Sequence, residues 1–492
     1  MKATMSFDNR IFRDPSTGLV VDLGHPTGAQ VTDMNPALEA MTALEAGSIA
    51  NPDEGRQVGH YWLRSPNRAP SPETAAEIRT VVNRILELDV PHCDTVLLVG
   101  IGGSALGPEL VIDALRTENG RRFFLIDTVD PDGMRRVLEK IEPKMTLVLV
   151  ASKSGSTLET RQALRVVEAT FAQAGVCFED HAIAITGADS SLSKQAHNWR
   201  DQFPLWSWVG GRTSVTSPVG LIPMHLCGID IEEFLAGARE MDRWTRKPME
   251  CNPAAQLANI WHSSNKSTLA VIPYCEHLRH LGRYLQQLIM ESLGKALDRD
   301  GEAIHHGLTV YGNKGSADQH AIIQQLRDGP DDVMIHLIDC AHHPTDSPLM
   351  ADAADLQFAL MAGTRAAMIE VDRTTVSITL PALSPKSLGA LIALFERTVG
   401  LAAELANINA YNQPGVESGK QAATIQMAQI REVQGTLGAH PLTAEKIAQT
   451  LGIEPETAWR LATHLGCTGR AHISLGKSPS EDRFRAPKKS AK

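Results

Sequence analysis

The stretch "LLVGIGGSALGPEL", residues 97–110, decides how this chain folds. Val96 to Val99 form a short apolar run that suits a buried strand, and Gly100, Gly102, Gly103 and Ser104 then lead toward a helix. A strand ending in bare backbone before a helix N-terminus directs amides, and the positive end of the helix dipole, toward an anion. Phosphate is the natural candidate. The loop alone leaves open whether it belongs to a dinucleotide, a nucleoside triphosphate or a sugar, or whether the glycines only make a tight turn.

Outward from this loop the same plan recurs. "TVLLVG", "FFLIDT", "TLVLVAS" and "AIAIT" are short apolar runs separated by helical stretches such as "DPDGMRRVLEKI" and "TLETRQALRVVEATFAQAG". "STLAVIPY" (267–274) restarts the series, followed by "LTVYG", a helix at 316–328 and "VMIHLID". Strands alternating with helices predict an α/β protein with two doubly wound parallel sheets. The expected organisation is a helical and loop lead-in over 1–90, a first α/β domain over 91–250, and a second over 251–438 closed by helices near 387–407 and 413–436. A small C-terminal module follows over 439–492, where "LTAEKIAQTLGIEPETAWRLATHLG" resembles a helix-turn-helix and "AHISLGKSPSEDRFRAPKK" could form a wing.

Bulk properties exclude several classes. At 492 residues the chain is too long for one small core, and a net charge of -10 supplies no global basic field for nucleic acid or anionic lipid. The seven cysteines are scattered and contain no C-x-x-C pair, the usage of a reducing cytosol rather than of a disulfide framework or zinc site. No apolar run approaches the roughly 18 residues of a membrane-spanning helix. A cytoplasmic protein without metal or cofactor is expected. His305, His306 and the "CAHHP" histidines lack acidic partners at ligand spacing and read as exposed loop residues.

Three later segments narrow the phosphate. In "VASKSGSTLET", Ser152, Ser154, Ser156 and Thr157 add hydroxyls and Lys153 adds a charge beside another helix start, a set suited to a phosphate monoester. Neither this loop nor the glycine loop carries the Gly-Lys-Ser/Thr ending of a P-loop or a complete G-x-G-x-x-G fingerprint. In "RYLQQLIMESLGK", Gln287, Glu291 and Lys295 are spaced i, i+4, i+8, which predicts that they lie near one stripe of one helix, and Glu291 sits among apolar residues that would desolvate it. "GGRTSVTSPVG" places Arg212 after two glycines, and "SADQH" places His320 early in a helix. Taken singly, each has an ordinary surface or core explanation.

Together, "GIGGSALGP", "SKSGST", "GGRTSVTSPVG", "QQLIMESLGK", "GSADQH" and "NQPGVESGK" resemble the glucose-6-phosphate isomerase family in order and spacing over about 90–422. The resemblance implies two sugar-isomerase domains and an aldose–ketose isomerase acting on a hexose phosphate. By position it implies Glu291 as the base, Arg212 as the cation for an enediolate, and His320 and Lys420 as the ring-opening pair. It assigns Ser152, Lys153, Ser154 and Thr157 to the phosphate, and Gly103, Ser104, Gln287 and Gln413 to other substrate contacts. A homodimer in which the histidine crosses to the neighbouring site is also implied. "SKSGST" departs from the bulkier "SKTFTT" of many members, whereas Gln413 stands where relatives that also accept mannose 6-phosphate carry threonine. The competing class is a sugar-phosphate-sensing regulator with a DNA-binding tail, but a sensor has no need of Glu291, Arg212, His320 and Lys420 together. The second helix of the tail offers Arg460 as its only cation, so nucleic acid is not the expected partner.

Overall fold

Short hydrophobic strands followed by amphipathic helices fold as the pattern predicts. The computed structural model describes residues 10–24, 31–117, 120–343 and 345–487, except for the side chains of 416–418, 420 and 421. It divides into two compact units, Met1–Asn412 and Gln413–Lys492.

The first unit opens with two short strands, β1 (Ile11–Arg13) and β2 (Val20–Asp22). Its first sheet comprises β3 (Thr95–Val99), β4 (Arg122–Ile126), β5 (Thr146–Ser152), β6 (Ala182–Thr186) and β7 (Asp201–Pro204), in the order β4-β3-β5-β6-β7 and parallel throughout. Every residue of β3, β5 and β6 is buried. Val96 and Leu98 pack into one apolar core while Leu97 and Val99 pack into another, so both faces are covered. That burial explains the continuous apolar runs in place of alternation.

β8 (Thr268–Tyr274) begins the second sheet. A small antiparallel pair, β9 (Lys295–Leu297) and β10 (Ala303–His306), separates it in sequence from β11 (Thr309–Tyr311), β12 (Val333–Cys340) and β13 (Thr375–Leu380). The order is β1-β2-β13-β12-β8-β11, parallel from β13 to β11, with β2 antiparallel on β13. The lead-in expected to be helix and loop therefore also supplies an edge hairpin. Its strands of three residues are too short to show a period in the sequence.

The helix Pro385–Leu405 is buried along almost its whole length and starts with a Ser384/Ser387 capping box. It lies close against the helix Ile231–Trp244: a Cβ on Gly237 would fall 1.8 Å from the Lys386 carbonyl oxygen, and one on Gly389 would fall 2.1 Å from that of Phe234. Only glycine permits this approach. The buried helix carries charge where propensity and pattern suggest none. Arg64 reaches Glu396 at 2.7 Å and Asp242 at 3.1 Å, and Arg397 reaches Glu45 at 2.5 Å. Burial pushes the Glu396 carboxyl up to about 7 against the opposing pull of Arg64.

The second unit starts earlier than the composition change at 439. The helix Pro414–Thr436, expected to close the body, contributes Val433 to the tail's own core with Ile447, Leu461 and Phe484. The helices Ala444–Leu451 and Pro455–Cys467 meet at Gly452, whose φ of 67° is the left-handed conformation glycine accepts freely. β14 (Leu442–Thr443), β15 (His472–Ser474) and β16 (Arg483–Arg485) form a sheet in the order β14-β16-β15, giving the helix-turn-helix its wing. Arg460 is bonded to Glu456 at 2.7 Å. Of the basic residues at the end of the chain, Lys488, Lys489 and Lys492 lie outside the described residues.

Among the described residues no helix is long and apolar enough to cross a membrane, and no His, Cys, Asp and Glu group is arranged to hold a metal ion.

Candidate active site

Two glycine loops at the carboxyl end of the first sheet build the floor of the site. Gly102–Ser104 form a 3-10 turn after β3, so the helix proper begins only at Leu106. A Cβ on Gly103 would lie 2.1 Å from the Gly211 carbonyl group, which makes glycine obligatory at this crossing. The Ser214 hydroxyl ties the loops together by donating to the carbonyl oxygens of Gly211 at 2.7 Å and Gly103 at 3.2 Å. Gln287 reaches over the first turn: its Nε2 stands 3.1 Å from the position a Cβ on Gly102 would occupy.

The serine loop follows β5. Ser152 Oγ accepts from the Gly155 amide at 3.1 Å and lies 3.3 Å from Thr157 Oγ1, while the exposed Ser154 and Ser156 hydroxyls share a 2.7 Å bond. No side chain caps the helix Leu158–Gln173, so its first amides remain available to an anion. Lys153 turns aside. Its ammonium donates to the carbonyl oxygens of Ser207 and Val209, each at 2.8 Å, just ahead of the Gly210–Arg212 loop. Burial, reinforced by the Arg56 cation, lowers its pKa to about 8.

Glu291 projects from an irregular helix. Leu281–Leu285 is α-helical, Gln286–Met290 is a π-turn, and Glu291–Leu293 completes the last α-turn before Gly294 breaks it. Wide turns of this kind concentrate at functional sites. The continuous stripe suggested by i, i+4, i+8 spacing ends here: Lys295 lies in β9, and its ammonium returns to the Glu291 carbonyl oxygen at 2.8 Å.

Arg212 Nη1 stands 3.5 Å from Glu291 Oε2, and their side chains are 5% and 20% exposed. Neither of these two buried atoms has a hydrogen-bond partner among the described residues. The other arm of the guanidinium, Nη2, donates to the Asn412 carbonyl oxygen at 2.9 Å, which also receives Lys295 Nζ at 3.1 Å. Burial lowers the Arg212 pKa, and Glu291 offsets part of that effect. Burial and the nearby Arg212 charge bring Lys295 to about 8.

The lead-in supplies the rear wall, which the sequence did not disclose. Asn51 Nδ2 and Arg56 Nη2 donate to the Tyr411 carbonyl oxygen at 3.2 and 3.1 Å, fixing the backbone just before Asn412. His60, Arg212, Ser292, Glu396 and Tyr411 line a cavity of about 10 Å³, on the order of one water molecule. Burial holds His60 neutral, well below its ordinary pKa, and Arg64 reinforces this. A signal that could have pointed to His60 is the aromatic-rich segment "GHYWLR" at 59–64.

His320 is not in this constellation within one chain. It is exposed and lines a separate cleft of about 370 Å³ with Cys275, Glu276 and Lys314. Gln413 and Lys420 belong to the second compact unit, and the Lys420 side chain lies outside the description.

The phosphoglucose isomerase family model matches residues 30–441. A glucose-6-phosphate isomerase of Geobacter sulfurreducens is 46% identical over 471 residues, spanning 88% of this chain and 89% of its own. One from Synechococcus sp. (strain JA-3-3Ab) is 44% identical and spans 95% of each. Among solved structures, a glucose-6-phosphate isomerase from Chlamydia trachomatis superposes with a TM-score of 0.78 at 26% identity, covering 87% of this chain and 92% of that one. The sugar-phosphate-sensing regulator gains no support from these matches. With a family model that matches most of the chain and relatives of 44–46% identity that span most of its length, the chain belongs to the phosphoglucose isomerase family.

Proposed function

We propose that this protein interconverts glucose 6-phosphate and fructose 6-phosphate through an enediolate. The observation that carries the reading is the buried Glu291–Arg212 pair, whose facing atoms are 3.5 Å apart and unbonded. Glu291 removes the C2 proton of the open-chain aldose and returns it to C1, so one carboxylate serves both carbons. Arg212, anchored by Asn412, holds the negative oxygen that develops between these transfers. Proton movement between adjacent carbons changes no net oxidation state, so the reaction calls for no redox cofactor.

Ser152, Ser154, Thr157 and the free amides after them receive the phosphate, with Lys153 shaping the loop from behind. Gly103, Ser104, Gln287 and Gln413 complete the substrate contacts. His320 and Lys420 open the sugar ring. His320 is exposed and lines a different cleft, which favours a homodimer in which each subunit supplies this histidine to its neighbour. Segments 91–250 and 251–412 serve as the two sugar-isomerase domains. The seven free cysteines suit a cytoplasmic location. A coupled assay of glucose 6-phosphate formed from fructose 6-phosphate tests the activity; absence of turnover by folded protein refutes it.

A further inference from the structure

The geometry points to a second anion site, remote in composition from the serine loop: an arginine cleft that takes a small phosphate-bearing molecule with two or more negative charges. Arg239, Arg243 and Arg246 repeat at i, i+4 and i+7, placing them along one side at the end of the helix Ile231–Trp244 and just past it. Ser65, Asn67 and Arg68, from a separate segment, line the same cleft, which has a volume of about 280 Å³. That is a small-ligand dimension rather than a surface for a macromolecule.

The four guanidiniums are unequally compensated. Arg243 pairs with Glu240, and Arg246 with Glu45 at 2.6 Å. Among the described residues, Arg68 and Arg239 have no carboxylate within ion-pair distance; Arg239 Nη1 donates only to the Arg64 carbonyl oxygen, at 3.3 Å. A helix C-terminus favours cations nearby, which accounts for charge in the last turn. It does not account for Arg68, brought to the cleft by the 3-10 turn Pro66–Arg68. Guanidiniums converging from two segments repel one another unless an anion lies between them, and their planar donors match phosphate oxygens. Ser65 and Asn67 add neutral hydrogen-bonding groups at the same mouth.

Pyrophosphate is the probe. Calorimetric titration of the full chain, with and without saturating fructose 6-phosphate, separates this cleft from the serine loop. The expected result is one equivalent of pyrophosphate that persists with fructose 6-phosphate present and weakens as salt rises. It should weaken at least tenfold in the Arg68→Ser/Arg239→Ser double variant, with turnover unchanged. Inorganic phosphate should bind the same site more weakly. Neither replaced side chain is tied to a described carboxylate, so no buried acid loses its partner; an unaltered melting temperature checks the fold. An Arg68→Lys/Arg239→Lys variant that retains part of the affinity distinguishes lost charge from lost shape. Absence of the persistent equivalent in the parent, or equal binding by parent and folded Ser variant, overturns the assignment.

Discussion

Arg212 Nη1 and Glu291 Oε2 face each other at 3.5 Å, inside ion-pair range but without a formed hydrogen bond. The guanidinium is held from behind by the Asn412 carbonyl oxygen, so its position does not depend on the carboxylate it faces. A substrate oxygen can therefore interact with the cation while the carboxylate takes a proton, and the cation need not move. Glu291→Gln keeps size and polarity but removes the base. Turnover should fall by about 10² or more while fructose 6-phosphate still binds. Steady-state rates alongside a direct binding titration decide this; comparable turnover in variant and parent ends the assignment of Glu291 as base.

Arg212→Lys tests the fixed cation. A lysine ammonium is a compact charge that cannot span from Asn412 to the substrate as the guanidinium fork does. Burial would also favour its neutral form. The expected loss is about 10²–10³ in kcat, the scale for removing a preorganised donor to an oxyanion. A loss confined to KM would place Arg212 in substrate binding instead.

Lys153 separates two roles that one residue can play. The sequence presents it as the only full charge in "SKSGST", yet its ammonium is bonded to the Ser207 and Val209 carbonyl oxygens. Lys153→Ala removes the charge and both bonds, and KM should rise with kcat less affected. Lys153→Gln can preserve a donor to that backbone, so partial recovery of KM identifies a tether. Equal defects in both variants identify the charge.

How far the site was legible depends on whether a side chain or the backbone carries each part. Gly103 was readable because its crossing with Gly211 excludes a Cβ there, and Glu291 and Arg212 because they sit in motifs. The Asn412 carbonyl, which two cations share, has no side-chain signature. The π-turn over Gln286–Met290 has none either: "QQLIM" would fit an α-helix equally well, and tertiary packing decides between them. In the tail, Thr443 as cap, Gly452 at the left-handed turn and Pro455 at the next helix start announced the helix-turn-helix. The helix Pro414–Thr436 gave no comparable signal that it shares the tail's core.

Complementation tests the shared site. Glu291→Gln and His320→Ala subunits should each be inactive alone. If His320 crosses between subunits, a mixed dimer contains one site with both groups intact and one with neither. Co-refolding the variants at equal concentration should restore roughly a quarter of parental activity, since half of the molecules are mixed and half of their sites are complete; this magnitude assumes random pairing and independent sites. Subunit exchange confirmed by mass spectrometry with no recovered activity would show that His320 does not act across the interface.

His336 should set part of the acid limit of stability. It sits fully buried in the middle of β12, where Nε2 accepts from Trp261 Nε1 at 3.3 Å and Nδ1 has no partner among the described residues. Burial lowers its pKa from 6.5 to about 3. Between these values the unfolded chain binds the proton and the folded chain does not, so stability falls as pH drops from about 6.5 toward 3. Replacing the imidazole by an apolar ring removes this proton linkage, although it also leaves the Trp261 indole without its acceptor. His336→Phe should therefore be less stable than the parent near pH 8, by about 1–3 kcal/mol for the orphaned donor. Its stability should then decline less steeply between pH 6.5 and 4. Denaturant unfolding of both proteins across this range measures the two slopes; parallel curves would mean that protonation of His336 is not coupled to unfolding.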